Sequence, residues 1–237
     1  VMFPLFGALS LVLSRLLRVP DGRRGMWCCC ATFCNNGFMG FPVALALFGE
    51  EGLTLTVILS IPFNLLMYSV GAKMVCMDLP RDGSARPISW SRAVFSVINL
   101  SMAVGLLLYF TQLPLPQAIL GPLGYLSDAT TPLSMIITGM NLSQGRIGDV
   151  LRDRNAFTAA GARLLLFPAV AWALMELVPG LDGLVVGAAL INLSMPAPAA
   201  ASLLGEEYGG HTQMAARTVF LSSLLCIATI PLISLLL

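Results

Sequence analysis

Two stretches place polar, potentially ligand-binding residues inside apolar runs: CNNGFMGFPVALALFGEE at 34–51 and LINLSMPAPAAASLLGEE at 190–207. The first offers Asn35, Asn36, Gly37, Gly40 and Pro42; the second offers Asn192, Ser194, Pro196 and Pro198. Pro in a helix interior costs about 3 kcal/mol and Gly about 1. Each segment is therefore expected to break near its middle, with Asn35 or Asn36 and Asn192 or Ser194 capping the second half-helix. Pro42 and Pro196 are expected in the first turns of those half-helices. Broken ends and amide side chains present unpaired N–H donors, and these suit a carboxylate or other small anion. Each helix end attracts an anion by about 0.3–2 kcal/mol, so such a site can empty as well as fill.

The elements that must position these residues show in a duplication. At a constant offset of 156, Asn36 falls on Asn192, Met39 on Met195, Pro42 on Pro198 and Gly49 on Gly205. Glu50 and Glu51 likewise fall on Glu206 and Glu207. After a six-residue insertion, TVILS at 56 is answered by TVFLS at 218. Internal duplication is the economical explanation.

Hydrophobic residues make up 57% of the chain, charged residues only 11%, and mean hydropathy is +0.86. Apolar runs of about 20 residues recur, long enough for helices to cross a bilayer. The spans read as 1–17, 26–48, 52–72, 93–111, 116–142, 155–178, 183–204 and 214–237. The fold class is an all-α membrane protein. Twelve of the thirteen basic residues lie in alternate loops, from Arg15 to Arg24, Lys73 to Arg92, Arg146 to Arg154, and at Arg217. The intervening loops carry Glu50, Glu51, Glu176 and Asp182. The positive-inside rule makes the basic loops cytoplasmic and puts Val1 and Leu237 outside.

The two broken spans are the second and seventh, so they cross in opposite directions. That is the inverted repeat of many secondary transporters. Five spans per repeat predict ten, and the abrupt start at Val1 predicts that two precede it. Residues 1–78 read as the remainder of the first repeat, 79–92 as a cytoplasmic linker, and 93–237 as the second repeat.

CNNGFMGFPVALALFGEEG, GYLSDATTPLSMIITGMNLSQG and NLSMPAPAAASLLGEEYGG resemble the auxin efflux carrier family, which includes plant auxin carriers and bacterial organic-acid permeases. The resemblance runs through the whole chain. It implies ten helices in two inverted five-helix repeats, with the fourth and ninth broken and crossing, a fold shared with bile acid:sodium symporters. On that template the chain begins in helix three, Asn35 matches the first crossover Asn, and Pro196 matches the second crossover Pro. The short stretch from Lys73 to Arg92 is similar to the bacterial permeases and lacks the long loop of many plant members.

Other polar groups are fewer. Asp128, in LSDATTP, lies midway along the fifth span, where a carboxylate costs about 2.5–3.5 kcal/mol. Two readings stand: a proton-coupling site, or a cap for a helix segment starting near Pro132. Arg163 is expected to pair with Asp128 or to snorkel. His211 is expected to be solvated. The six cysteines lack neighbours for a four-ligand metal set, and no nucleophile–base pair, phosphate loop or cofactor motif appears. The expected function is a secondary transporter moving a small organic anion, a dicarboxylate or auxin-like acid, by alternating access. H+ or Na+ is the expected coupling ion, the bilayer (a bacterial inner membrane) the expected setting, and a homodimer a further expectation. A non-transporting sensor or binding protein, or a channel, is the alternative. Nothing points to nucleic acid.

Overall fold

The computed structural model describes residues 2–79, 97–143 and 147–235. Among them every regular element is helical. The linker expected at 79–92 lies, apart from residue 79, outside the described residues.

Helix α1 is Met2–Leu16, and α2 is Asp21–Thr32. After a non-helical interruption at 33–35, a π-helical turn at Asn36–Gly40 leads into α3, Phe41–Leu66. Gly49, at φ 66°, ψ −160°, kinks α3, a conformation open to glycine for want of a Cβ. The kink falls between the expected spans 26–48 and 52–72. A second π-helical turn, Met67–Gly71, joins α3 to α4, Ala72–Cys76. Then come α5, Val97–Thr111, and α6, Gln117–Ser143, followed by the short α7, Ile147–Arg152, and by α8, Arg154–Gly161. A π-helical turn at Ala162–Leu166 links α8 to α9, Phe167–Glu176. The chain continues with α10, Gly183–Leu193, α11, Ala200–Tyr208, and α12, Thr212–Ser234.

Among the described residues three helical runs, Asp21–Cys76, Arg154–Glu176 and Thr212–Ser234, are long and apolar enough to cross a membrane, the first being interrupted at 33–35 and kinked at Gly49. Large apolar side chains such as Val97, Leu107, Phe110, Tyr125 and Leu126 stand exposed on α5 and α6. In a bilayer such a surface carries no hydrophobic penalty.

The core gathers around the two interrupted helices. Trp27, Phe33, Phe6 and Phe167 are fully buried or nearly so. Phe6 stacks on Phe167 at 4.8 Å, and Phe3 stacks on Phe33 at 6.0 Å. The Trp27 indole N–H donates to Thr158 Oγ1 at 3.0 Å, tying α2 to α8. Backbones meet where α2 packs on α4: a Cβ at Gly25 would fall 1.8 Å from the Met74 carbonyl oxygen.

Polar groups close the ends. Asp78, in the turn after α4, accepts from the backbone N–H groups of Gly25 (2.7 Å) and Met26 (2.9 Å) in α2. Asp153 caps α8, accepting from Asn155 and Ala156, and its other oxygen takes Arg217 at 3.0 Å and Arg23 at 3.8 Å. Burial pushes the Asp153 carboxyl up, but the Arg217 hydrogen bond, the Ala156 N–H and the two guanidinium charges outweigh it and hold the group below its ordinary value. His211, expected to be solvated, is half-buried and caps α12 by accepting from Met214 N.

Candidate functional site at the helix crossover

Both expected interruptions form, and they meet. Residues 33–35 separate α2 from the turn into α3, and residues 194–199 separate α10 from α11. The backbone N–H of Asn35 donates to the Pro196 carbonyl at 2.8 Å. Residues 35 and 196 both lie in non-helical backbone, which leaves these two groups without helical partners, and each satisfies the other.

The capping differs from expectation. Neither half-helix is capped by a side chain of Asn35, Asn36, Asn192 or Ser194. Ser194 instead donates back to Leu190 O of its own preceding helix at 2.6 Å, the local bond that competes with a forward cap. The break at 194–199 is steadied from α12, where Ser222 accepts from Ala197 N at 3.0 Å. Pro42 does sit at the start of α3. Pro196 is not in a first turn; it lies within the break, and the Pro198 carbonyl starts α11 by accepting from Ala201 N.

Beside the crossover lies a cavity of about 200 Å³. Its walls are apolar, from Phe3 at the start of α1, Leu59, Phe63 and Leu66 of α3, and Met175 of α9. Its polar contribution is Asn36 and Asn192, the two residues paired by the duplication. Both are about 95% buried. The Asn36 Nδ2 has no hydrogen-bond partner. The Cys34 thiol approaches Asn192 Oδ1 at 3.8 Å, which leaves Nδ2 as that amide's donor. Gly40 packs behind, its Cβ position 3.5 Å from Asn192 Oδ1. Gly37 faces open space, and Asn35, Ser194, Pro196 and Pro198 stand outside the cavity lining.

Arg163 is the residue whose role the sequence concealed. It is fully buried in the π-helical turn between α8 and α9. Its Nη1 donates to Thr32 O at 2.9 Å and Ala31 O at 3.3 Å, and its Nε to Met195 O at 3.2 Å. The Phe167 ring lies 6.0 Å from its guanidinium carbon. It neither pairs with Asp128 nor snorkels. Asp128 is exposed on α6, which runs unbroken through Pro122 and Pro132, so no separate segment begins there for it to cap. The only sequence signal was an arginine stranded in an apolar span; its partners are backbone carbonyls, which no residue type announces. Among the described residues no three His, Cys, Asp or Glu side chains gather as metal ligands.

Comparison with known proteins supplies the lineage. The family model described as Membrane transport protein matches residues 1–84 and 79–234. An uncharacterised transporter of Methanothermobacter thermautotrophicus is 29% identical over 96% of this chain and 73% of its own length. Another uncharacterised transporter, from Methanocaldococcus jannaschii, is 28% identical over 95% of this chain and 73% of its own. A Rhizobium meliloti protein named "Putative malonate transporter" is 23% identical over 97% of this chain and 71% of its own. The chain belongs to this family of membrane transport proteins, the auxin efflux carrier family that its crossover motifs resemble.

Proposed function

We infer that the chain forms the crossover portion of a secondary transporter for a small organic anion, and that Asn36 and Asn192 hold the anion's carboxylate. The observation that carries this reading is the buried, unpartnered Asn36 Nδ2 at a cavity lined, apart from Asn192, by apolar side chains. An unsatisfied buried amide costs about 1–3 kcal/mol, and a carboxylate oxygen would relieve that cost. The cavity suits a short acid whose body rests on Phe63 and Leu66 while one end meets the two amides. The start of the Asn36–Gly40 turn adds the partial positive charge of a helix N-terminus. The relative named for malonate makes a short dicarboxylate the first acid to test.

The pairing of Asn36 with Asn192 supports two inverted repeats related across the crossover, and alternating access as rocking of one repeat against the other. The basic loops support a cytoplasmic placement for the turns near Arg23, Asp78 and Arg217. Asp128 is proposed as a proton-coupling carboxylate, because a charge on an apolar helix is retained at a cost.

The test is uptake of radiolabelled malonate by proteoliposomes holding the full-length protein. Saturable uptake, lost in Asn36→Ala and competed by other short carboxylates, is the expected result. Equal uptake by Asn36→Ala would place the carboxylate elsewhere, and binding without uptake would favour a sensor.

A further inference from the structure

Three backbone carbonyls from two different interrupted helices converge on one side chain. Ala31 O and Thr32 O are the last carbonyls of α2, and Met195 O belongs to the break after α10. The C-terminal end of a helix carries a partial negative charge and leaves its last carbonyls without intrahelical donors. In transporters built on broken helices, unwound carbonyls and half-helix C-termini of this kind bind a free cation such as Na+. Here the Arg163 guanidinium holds the position, fully buried, over the Phe167 ring. No carboxylate among the described residues pairs with it.

We propose that Arg163 is a resident cation: its guanidinium fills the carbonyl-lined position at the crossover that would otherwise take a free monovalent cation. The crossover's positive charge is then permanent and covalently attached. It does not load and unload with each cycle, and no alkali-metal ion is needed to close the two breaks on each other. The fixed charge also lies next to the anion site. Cys34 lies between the two, its thiol on Asn192 Oδ1 and two residues along the chain from the Thr32 carbonyl that Arg163 holds. In this last respect the inference rests on the substrate reading above; in the first it does not.

Arginine suits the arrangement better than lysine. A guanidinium is planar, stays charged when buried, and directs several N–H donors along fixed lines, so one side chain reaches carbonyls of two helices. A lysine would keep the charge while losing the fork. Truncation to alanine would leave a void the size of the deleted group, lined by the same three oxygens and open to a small cation.

The test uses full-length protein in detergent and in proteoliposomes, with NaCl, KCl or choline chloride as the salt and millimolar guanidinium as an additive. For the wild type, melting temperature and malonate uptake are expected to be the same in all three salts. Arg163→Ala is expected to melt several degrees lower in choline, and to regain most of that loss with guanidinium or Na+. Its uptake is expected to follow the same rescue. Wild-type stability or uptake that requires Na+ would overturn the proposal, as would a folded Arg163→Ala protein indifferent to every cation. If Arg163→Ala does not accumulate, Arg163→Lys and Arg163→Met decide. Lys is expected to restore folded, Na+-indifferent protein and Met is not; equal recovery of both would overturn the idea. The melting readout needs no substrate, so rescue without malonate uptake would retain the resident cation and discard the proposed substrate.

Discussion

The backbone N–H of Asn35 and the carbonyl of Pro196, 161 positions apart in sequence, meet at 2.8 Å. This one bond joins the two interruptions directly. The neighbouring side-chain amides of Asn36 and Asn192 take no part in it, so the cavity side chains can be altered without unlatching this bond. Binding and stability should therefore separate under mutation.

Asn36→Ala and Asn192→Ala are each expected to weaken carboxylate binding about ten- to a hundredfold, the worth of one hydrogen bond to a charged group. Asn36→Ala should leave the melting temperature unchanged or raise it, because it deletes a buried donor that has no partner. Asn35→Ala, outside the cavity lining, should bind nearly as the wild type. Calorimetric titration of the purified full-length variants checks all three.

Pro42→Ala restores a backbone N–H near the start of α3 and should raise thermal stability by up to about 1 kcal/mol. Transport is expected to fall, since the restored N–H can tighten the Asn36–Gly40 turn that carries the cavity amide. Paired melting and uptake measurements would show the opposite signs; a fall in both would mean that Pro42 serves packing.

Asp153→Ala removes the cap of α8 and the partner of Arg217 and Arg23, at an expected cost of about 1–2 kcal/mol. Its folded pKa lies below the ordinary 3.8. The stabilisation is therefore present above the unfolded value and lost as pH falls through the folded one. Melting curves below about pH 4 should show that loss in the wild type and a shallower slope in the variant.

Asp78 has the opposite sign. Burial raises its pKa, while the Gly25 and Met26 N–H groups and the His211 and Arg24 charges pull it down less strongly. Its contribution is full below the unfolded value and declines as pH rises through the raised folded one. Asp78→Asn should flatten that decline in melting experiments from about pH 4 upward.

Gly25→Ala should prevent stable folding, since a methyl group would overlap the Met74 carbonyl. Gly37→Ala, with nothing near its Cβ position, should be close to neutral. Expression level and size-exclusion profile distinguish the two.

These glycines also show what could be read in the sequence. Proline, glycine and asparagine in an apolar run mark both breaks, and the offset of 156 by itself pairs Asn36 with Asn192. Side-chain identity carries that information. It says nothing about which backbone approaches which, so the motif singles out Gly37 and leaves Gly25 unmarked. The partners of Arg163 were hidden for the same reason: a carbonyl looks alike at every residue. Even a repeated motif misled in detail. Gly49 makes a kink at positive φ, whereas its copy Gly205 lies within α11, its Cβ position 2.9 Å from Met26 and Thr212.

The contact of Gly25 with Met74 bears on how the protein can work as a machine. Where side chains separate two helices, rotamer changes let one creep past the other. Backbone pressed on backbone has no such slack. Near this contact α2 and α4 behave as a single strut, further pinned by the grip of Asp78 on Gly25 and Met26. A push delivered at the Asp78 end arrives at the Thr32 end, under the Arg163 guanidinium, as displacement and not as compression.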